Sequence, residues 1–230
     1  MSEPFPSLAD FMGTVRLFPL PNVVLFPQVM QPLHVFEPRY RQLTADALAG
    51  DRLIAMVLLQ PNWEKDYGGA PPIHPVACLG RIVADQMLSD GRYNLLLQGM
   101  SRVQITQEIP HCKLYRKARA DLLVDVDVDN PSMARKLRRK LSVLVPRWFG
   151  KQKEVLEQVR KLFRSELSLG ALCDIFSFAL ALDVERKQEL LDEHDVEKRV
   201  CRLLAHLEKS EPCGEIAVGD RKFPPEFSSN

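Results

Sequence analysis

The apolar residues of this chain repeat with two different periods, and the change from one to the other divides it. Over residues 14–124 the pattern is mostly period two and is broken by turn residues, as short strands require. Val15-Arg16-Leu17-Phe18 and Val23-Val24-Leu25-Phe26 are β-rich runs closed by Pro19 and Pro27, and Pro32-Leu33-His34-Val35-Phe36 is a third. Prolines at that density suit strand ends and edges, because each removes a ladder donor. One helix interrupts the strands: Pro38 fits a first helical position, Tyr40, Leu43, Ala47 and Leu48 share a face, and Gly50 stands where a left-handed cap belongs. Residues 53–59 form an unbroken apolar run, which predicts a strand covered on both faces. The runs 76–88 and 92–98 flank Ser89-Asp90-Gly91, and Asp-Gly between alternating segments predicts a hairpin. Two more strands are expected over 101–109 and 113–124, the second with Leu114, Ala118, Ala120, Leu122 and Val124 on one side. Many short strands with tight turns predict a small closed or half-closed barrel.

After Asp129 the period lengthens to that of a helix. Asn130 can cap and Pro131 can open a helix whose stripe is Met133, Leu137, Leu141 and Leu144, ended by Pro146 and Gly150. Val155, Leu156, Val159, Leu162 and Phe163 mark a second helix, and Ser168 starts a third through Leu172, Ile175, Phe176 and Ala179. A short charged helix over 185–191 precedes a last one capped by Asp195, with Val196, Val200, Leu203, Leu204 and Leu207 inward. The expected organisation is an N-terminal arm over 1–13, a β-barrel over 14–129, a helical bundle over 130–210 and a disordered tail over 211–230. The fold class is α+β.

Composition changes this picture little. A chain of 230 residues can bury an ample core without disulfides. Its 31 Lys and Arg against 30 Asp and Glu leave a formal charge of +1, so no global field draws the molecule onto nucleic acid or an anionic membrane. No run reaches the ~18 apolar residues of a membrane span, and the start lacks a signal pattern. These features predict a cytoplasmic protein. Five scattered cysteines, Cys78, Cys112, Cys173, Cys201 and Cys213, fit reduced thiols better than a disulfide framework.

The candidate chemistry thins out on inspection. Gly99-Met100-Ser101-Arg102-Val103 approaches a nucleophile elbow, but it lacks the final glycine and the following helix, so a turn between strands is expected there. Asp125, Asp127 and Asp129 imitate the opening of a calcium loop, yet Asn130 stands where glycine is needed and Lys136 where a bidentate Glu is needed. His74 with Cys78, or His111 with Cys112, lacks the paired cysteines of a zinc site. Gly150-Lys151 is followed by Gln152 where a phosphate loop requires Ser or Thr. No catalytic residue, metal site or cofactor is therefore expected. Two binding features remain. The segment 61–72 is too rich in Gly and Pro for regular structure and carries Trp63 and Tyr67, aromatic anchors for a partner if they stand exposed. Arg135, Lys136, Arg138, Arg139 and Lys140 put five cations into one helical turn and a half, a local patch for phosphates. No aromatic residue interleaves them to stack bases, which favours a solvated outer face and makes nucleic acid an improbable partner.

Three blocks of the sequence carry a family resemblance. Leu17-Phe18-Pro19-Leu20-Pro21-Asn22-Val23-Val24-Leu25-Phe26-Pro27, with Phe36-Glu37-Pro38-Arg39-Tyr40, resembles the opening signature of the Lon N-terminal domain family. Leu79-Gly80-Arg81-Ile82 through Leu97-Gln98-Gly99-Met100-Ser101-Arg102-Val103-Gln104-Ile105 is similar to its central hairpin, and Leu172 through Asp195-Val196-Glu197-Lys198-Arg199 to its closing helices. The resemblance implies a PUA-like β pseudobarrel followed by a C-terminal helical bundle. It also implies a non-catalytic module that binds unfolded or extended polypeptides, as an adaptor or quality-control factor beside a protease or chaperone, without ATPase or peptidase machinery. The alternative is RNA or other nucleic acid on the basic helix 135–140.

Overall fold

The computed structural model describes residue 8 and residues 11–66, 69–150 and 152–209. Tyr67 and the segment 211–230 lie outside the described residues. The chain forms two compact units, the first ending at Leu123 and the second beginning at Val124.

The first unit contains strands β1 (Thr14–Leu20), β2 (Met30–Val35), β3 (Leu53–Leu58), β4 (Val76–Met87), β5 (Tyr93–Ile109) and β6 (Arg116–Leu123), with helix α1 (Pro38–Leu48) between β2 and β3. The sheet order is β2-β5-β4-β3-β1-β6, and a further β5–β6 pairing closes five of these strands into a barrel with β2 outside the closure. β1 and β3 run parallel while the other pairs are antiparallel. Alternation sends Val15 and Leu17, Ala55 and Val57, Ala77 and Leu79, and Ala118 and Ala120 into one core. The alanines fit because a five-stranded interior has little room. Every residue of β3 is buried, as its unbroken apolar run requires.

Several local expectations give way. Val23-Val24-Leu25-Phe26 is not a strand but an irregular segment in which Val24, Leu25 and Phe26 are buried. Its place in a ladder is taken by two bonds, Gln28 N–H to the Gly99 carbonyl at 2.9 Å and Gly99 N–H to the Val29 carbonyl at 2.8 Å. The turn expected at Gly99-Met100 is absent: β5 runs straight through, and the sequence irregularity appears instead as a register shift opposite Leu79 and Gly80. The left-handed residue after α1 is Arg52, at φ 61°, and Gly50 is not one of the positive-φ residues. Of the residues expected on one side of the last strand, Ala118 and Ala120 are buried, whereas Leu114, Leu122 and Val124 are exposed. The hairpin at Asp90-Gly91 forms as expected, with Gly91 at φ 79°.

The second unit contains α2 (Pro131–Leu144), a 3₁₀ turn (Val145–Phe149), α3 (Lys153–Arg164), α4 (Leu169–Ala179), α5 (Val184–Asp192) and α6 (Val196–Lys209). The Asn130 side chain accepts from the Ser132 and Met133 amides, and Ser168, Asp183 and Asp195 cap α4, α5 and α6 in the same way. Residues 124–126 belong with these helices: Val126 forms a bridge with Asp195, and Asp125 pairs with Arg199 of α6. Arg199 is fully buried, with Nε 3.2 Å from Asp174 Oδ1, Nη1 3.0 Å from Asp125 Oδ1 and 2.7 Å from the Glu193 carbonyl.

Candidate functional site

Among the described residues β2 lies at an edge of the sheet and pairs with residues 93–98 of β5. Alternation puts Met30, Pro32 and His34 on one face, and Phe36 continues that row just beyond the strand; Gln31, Leu33 and Val35 take the other. Across the ladder Gln98 faces Met30, Leu96 faces Pro32 and Asn94 faces His34. Leu33 and Val35 are buried, whereas Met30 is 40% and Phe36 60% exposed. The outer face of this edge therefore presents an apolar row to solvent.

Its polar centre is fixed. Arg92 can only donate, so His34 Nε2 accepts from it at 3.3 Å and His34 Nδ1 donates to Asn94 Oδ1 at 2.8 Å. The Phe36 ring lies near the imidazole, with centroids 6.3 Å apart. Among the described residues no strand covers the far side of β2. Pro32 lacks an N–H, and Gln31 Nε2 donates to the Pro32 carbonyl at 2.8 Å, so part of this edge is already blunted. The remainder can accept an added strand.

Trp63 opens a 3₁₀ turn (Trp63–Asp66) within the irregular 61–72 segment and is half-buried, so it is not a fully exposed anchor. The apolar row at Met30 and Phe36 has no signature in the sequence, because both faces of 30–36 carry apolar residues. Only the edge position of β2 decides which of them meets water.

The basic helix is divided by the structure. Arg138 is not free for a ligand: Nη1 donates to the Leu167 carbonyl at 2.7 Å, and Nη2 to the Phe163 and Ser165 carbonyls at 2.9 and 2.7 Å. It thereby satisfies the carbonyls left over where α3 ends. Lys140 Nζ lies 3.9 Å from Glu208. Arg135, Lys136 and Arg139 are exposed. Replacing Arg138 by alanine should lower stability by about 2 kcal/mol, since charge-assisted bonds to carbonyls are the lost interaction. Arg138→Lys should not restore it, because an ammonium cannot span three carbonyls as the guanidinium fork does. Urea denaturation followed by helical circular dichroism checks both; a loss below about 0.5 kcal/mol for alanine would show the fork is dispensable.

The remaining candidates have structural places. Ser101 and Arg102 stand inside β5, with Arg102 buried. Asp125 pairs with Arg199. Cys78 and Cys173 are buried, and Cys112 and Cys201 exposed. Among the described residues no three His, Cys, Asp or Glu side chains gather where they could hold a metal ion, and no helix is long and apolar enough to cross a membrane.

The model of the ATP-dependent protease La (Lon) substrate-binding domain matches residues 14–209, which spans both units. The chain belongs to this family. Among curated relatives, a Lon protease of Dictyoglomus thermophilum is 27% identical over 214 residues, covering 90% of this chain and 26% of that protein. Lon protease 2 of Myxococcus xanthus is 28% identical over 210 residues, covering 87% and 24%. The chain thus spans about a quarter of the length of these relatives. The fold is that of the N-terminal domain of a Lon protease from the Mycobacterium avium complex, at TM-score 0.67 and 15% identity, covering 85% of this chain and 98% of that one. A Lon N-terminal domain protein from Xanthomonas campestris aligns at TM-score 0.59 and 22% identity, covering 84% and 97%. The α+β class expected from the two periods is the one these Lon-domain structures share.

Proposed function

We propose that this Lon-family chain binds unfolded or extended polypeptide through the outer face and free edge of β2, and that its own residues perform no ATPase or peptidase chemistry. The observation that carries the reading is the exposed row of Met30 and Phe36 on an edge strand that has no further strand beside it among the described residues. An unfolded segment offers the two things such an edge accepts: backbone donors and acceptors for the ladder, and apolar side chains for the row. A folded protein hides both. The Lon substrate-binding family and the fold support the polypeptide as ligand. A cytoplasmic adaptor or quality-control role, delivering bound segments to a protease or chaperone, follows from that capacity.

The test is capture of a carboxymethylated, permanently unfolded client by the full chain and by a variant carrying Met30→Asp and Phe36→Asp. The variant should bind about tenfold more weakly, the loss of one apolar anchor pair. Its stability should fall by no more than about 1 kcal/mol, because Phe36 stands mostly in water and Met30 partly so. Trp63→Ala serves as the second arm. If it weakens capture and the β2 variant does not, the binding surface is the 61–72 segment; if neither weakens it, polypeptide does not bind at either place.

A further inference from the structure

The single net charge of the whole chain conceals a strong segregation. Between residues 130 and 165 there are eleven Lys or Arg and only two Asp or Glu, so α2, its 3₁₀ turn and α3 form a positive surface whose compensating acids lie elsewhere in the sequence. Arg138 and Lys140 are engaged as described. Arg135, Lys136 and Arg139 on α2, and Lys153, Arg160, Lys161 and Arg164 on α3, are exposed and have no ion-pair partner among the described residues. Arg135 with Arg139, and Arg160 with Arg164, stack like charges one helical turn apart. Each such pair opposes helix formation and returns nothing within the fold. A merely solvated face would alternate its signs.

The structure also supplies what the α2 sequence lacks. Phe163 of α3 joins Arg135, Arg138, Arg139 and Ser142 of α2 around an open depression of about 270 Å³. The ring is half-buried, and Phe176 stacks against it with centroids 4.9 Å apart and planes inclined by 21°. An aromatic ring set among arginines is the arrangement that takes a base between flanking phosphates. Along α3 the helical rise separates Lys153 from Arg164 by about 16 Å, so the cations follow a backbone and do not converge on one small anion.

We infer that the α2–α3 pair is a binding surface for single-stranded nucleic acid. Its arginines and lysines contact phosphates, and the Phe163 depression receives an unstacked base. Four of the seven free cations are arginines, whose planar forks grip phosphate at two points. A duplex would satisfy the charges but could not send a base into the depression, and an acidic polypeptide would leave it unfilled. This surface belongs to the second unit and does not depend on polypeptide binding at β2 of the first.

The experiment is a fluorescence-anisotropy titration of the full chain against labelled single-stranded RNA over a range of salt, with heparin and polyglutamate as polyanions without bases. RNA should bind, with log K falling against log salt by about 0.7 for each phosphate neutralised. Arg135→Ala with Arg139→Ala should weaken binding about tenfold and flatten the slope by about 1.4, and Arg160→Ala with Arg164→Ala should do likewise on α3. Both pairs are exposed, so the helical circular dichroism should be unchanged. Phe163→Leu, which keeps an apolar neighbour for Phe176, should weaken RNA about fivefold or more and leave heparin unaffected. No binding at low salt overturns the proposal, as does heparin or polyglutamate binding as tightly as RNA with Phe163→Leu having no effect.

Discussion

Replacing Arg199 by alanine is expected to remove about 3–5 kcal/mol from the stability of the helical unit, the cost of leaving a buried carboxylate without its partner. Asp174, on α4, is 2% exposed and has Arg199 beside it; Asp125 and the Glu193 carbonyl occupy the rest of the guanidinium. Burial alone would make this arginine easier to deprotonate, but Asp174 and Asp125 more than offset that and hold it further above its ordinary range. One side chain therefore fixes α4, the 124–126 segment and the start of α6 against one another. A marginally stable domain has roughly 5–15 kcal/mol in all, so the variant should melt far earlier or fail to accumulate folded. Arg199→Lys should recover only part of the loss, since a point charge cannot reach two carboxylates and a carbonyl together. The midpoint of urea denaturation by circular dichroism measures this. A shift worth under about 1 kcal/mol for the alanine variant would mean that Asp174 is tolerated as a buried charge or takes up a proton.

The second large effect is expected at Gly99. A Cβ built there would stand 2.0 Å from the Phe26 carbonyl oxygen and 2.9 Å from its carbon. These are backbone atoms, held by the pair of bonds between Gly99 and residues 28 and 29, so they cannot turn aside as a side-chain end would. Gly99→Ala should cost about 3 kcal/mol, at the upper end of overpacking effects. It should also weaken polypeptide capture if β2 is the site, because the displaced segment leads directly into Met30. Thermal denaturation together with the client-capture assay separates the two consequences. A stability change under about 1 kcal/mol would show that residues 22–29 can lift away from β5 without penalty.

Gly99 also explains where reading the sequence succeeds and where it stops. Signals that act within a few residues were legible: Asp90-Gly91 predicts a hairpin and Asn130-Pro131 a capped helix, because the turn and the cap are completed by their immediate neighbours. The glycine at 99 looks like the same kind of signal. It is there for a different reason, the close approach of a backbone more than seventy positions earlier, and so one long strand was divided into two. Gly50 misled in the same way, since the left-handed position is Arg52. The basic helix was legible as a charge run, but its division was not. Arg138 is engaged by carbonyls at and just beyond the end of α3, and Phe163, which lines the Arg135 and Arg139 depression, comes from α3. Neither contact leaves a mark in the spacing of α2. Met30 and Phe36 required knowing that β2 is an edge, which only the pairing order settles.

That pairing order has a mechanical consequence. β5 has β4 beside residues 93–104, and on its other side β2 over 93–98 and β6 over 102–109, so it is part of the closed ring. Among the described residues β2 has a strand on one side only, and the ring of strands closes without it. Loss of the β2–β5 ladder would leave the closed ring of five strands intact. The surface proposed to bind polypeptide thus lies outside the closure that holds the first unit together, so a strand added there need not disturb the barrel.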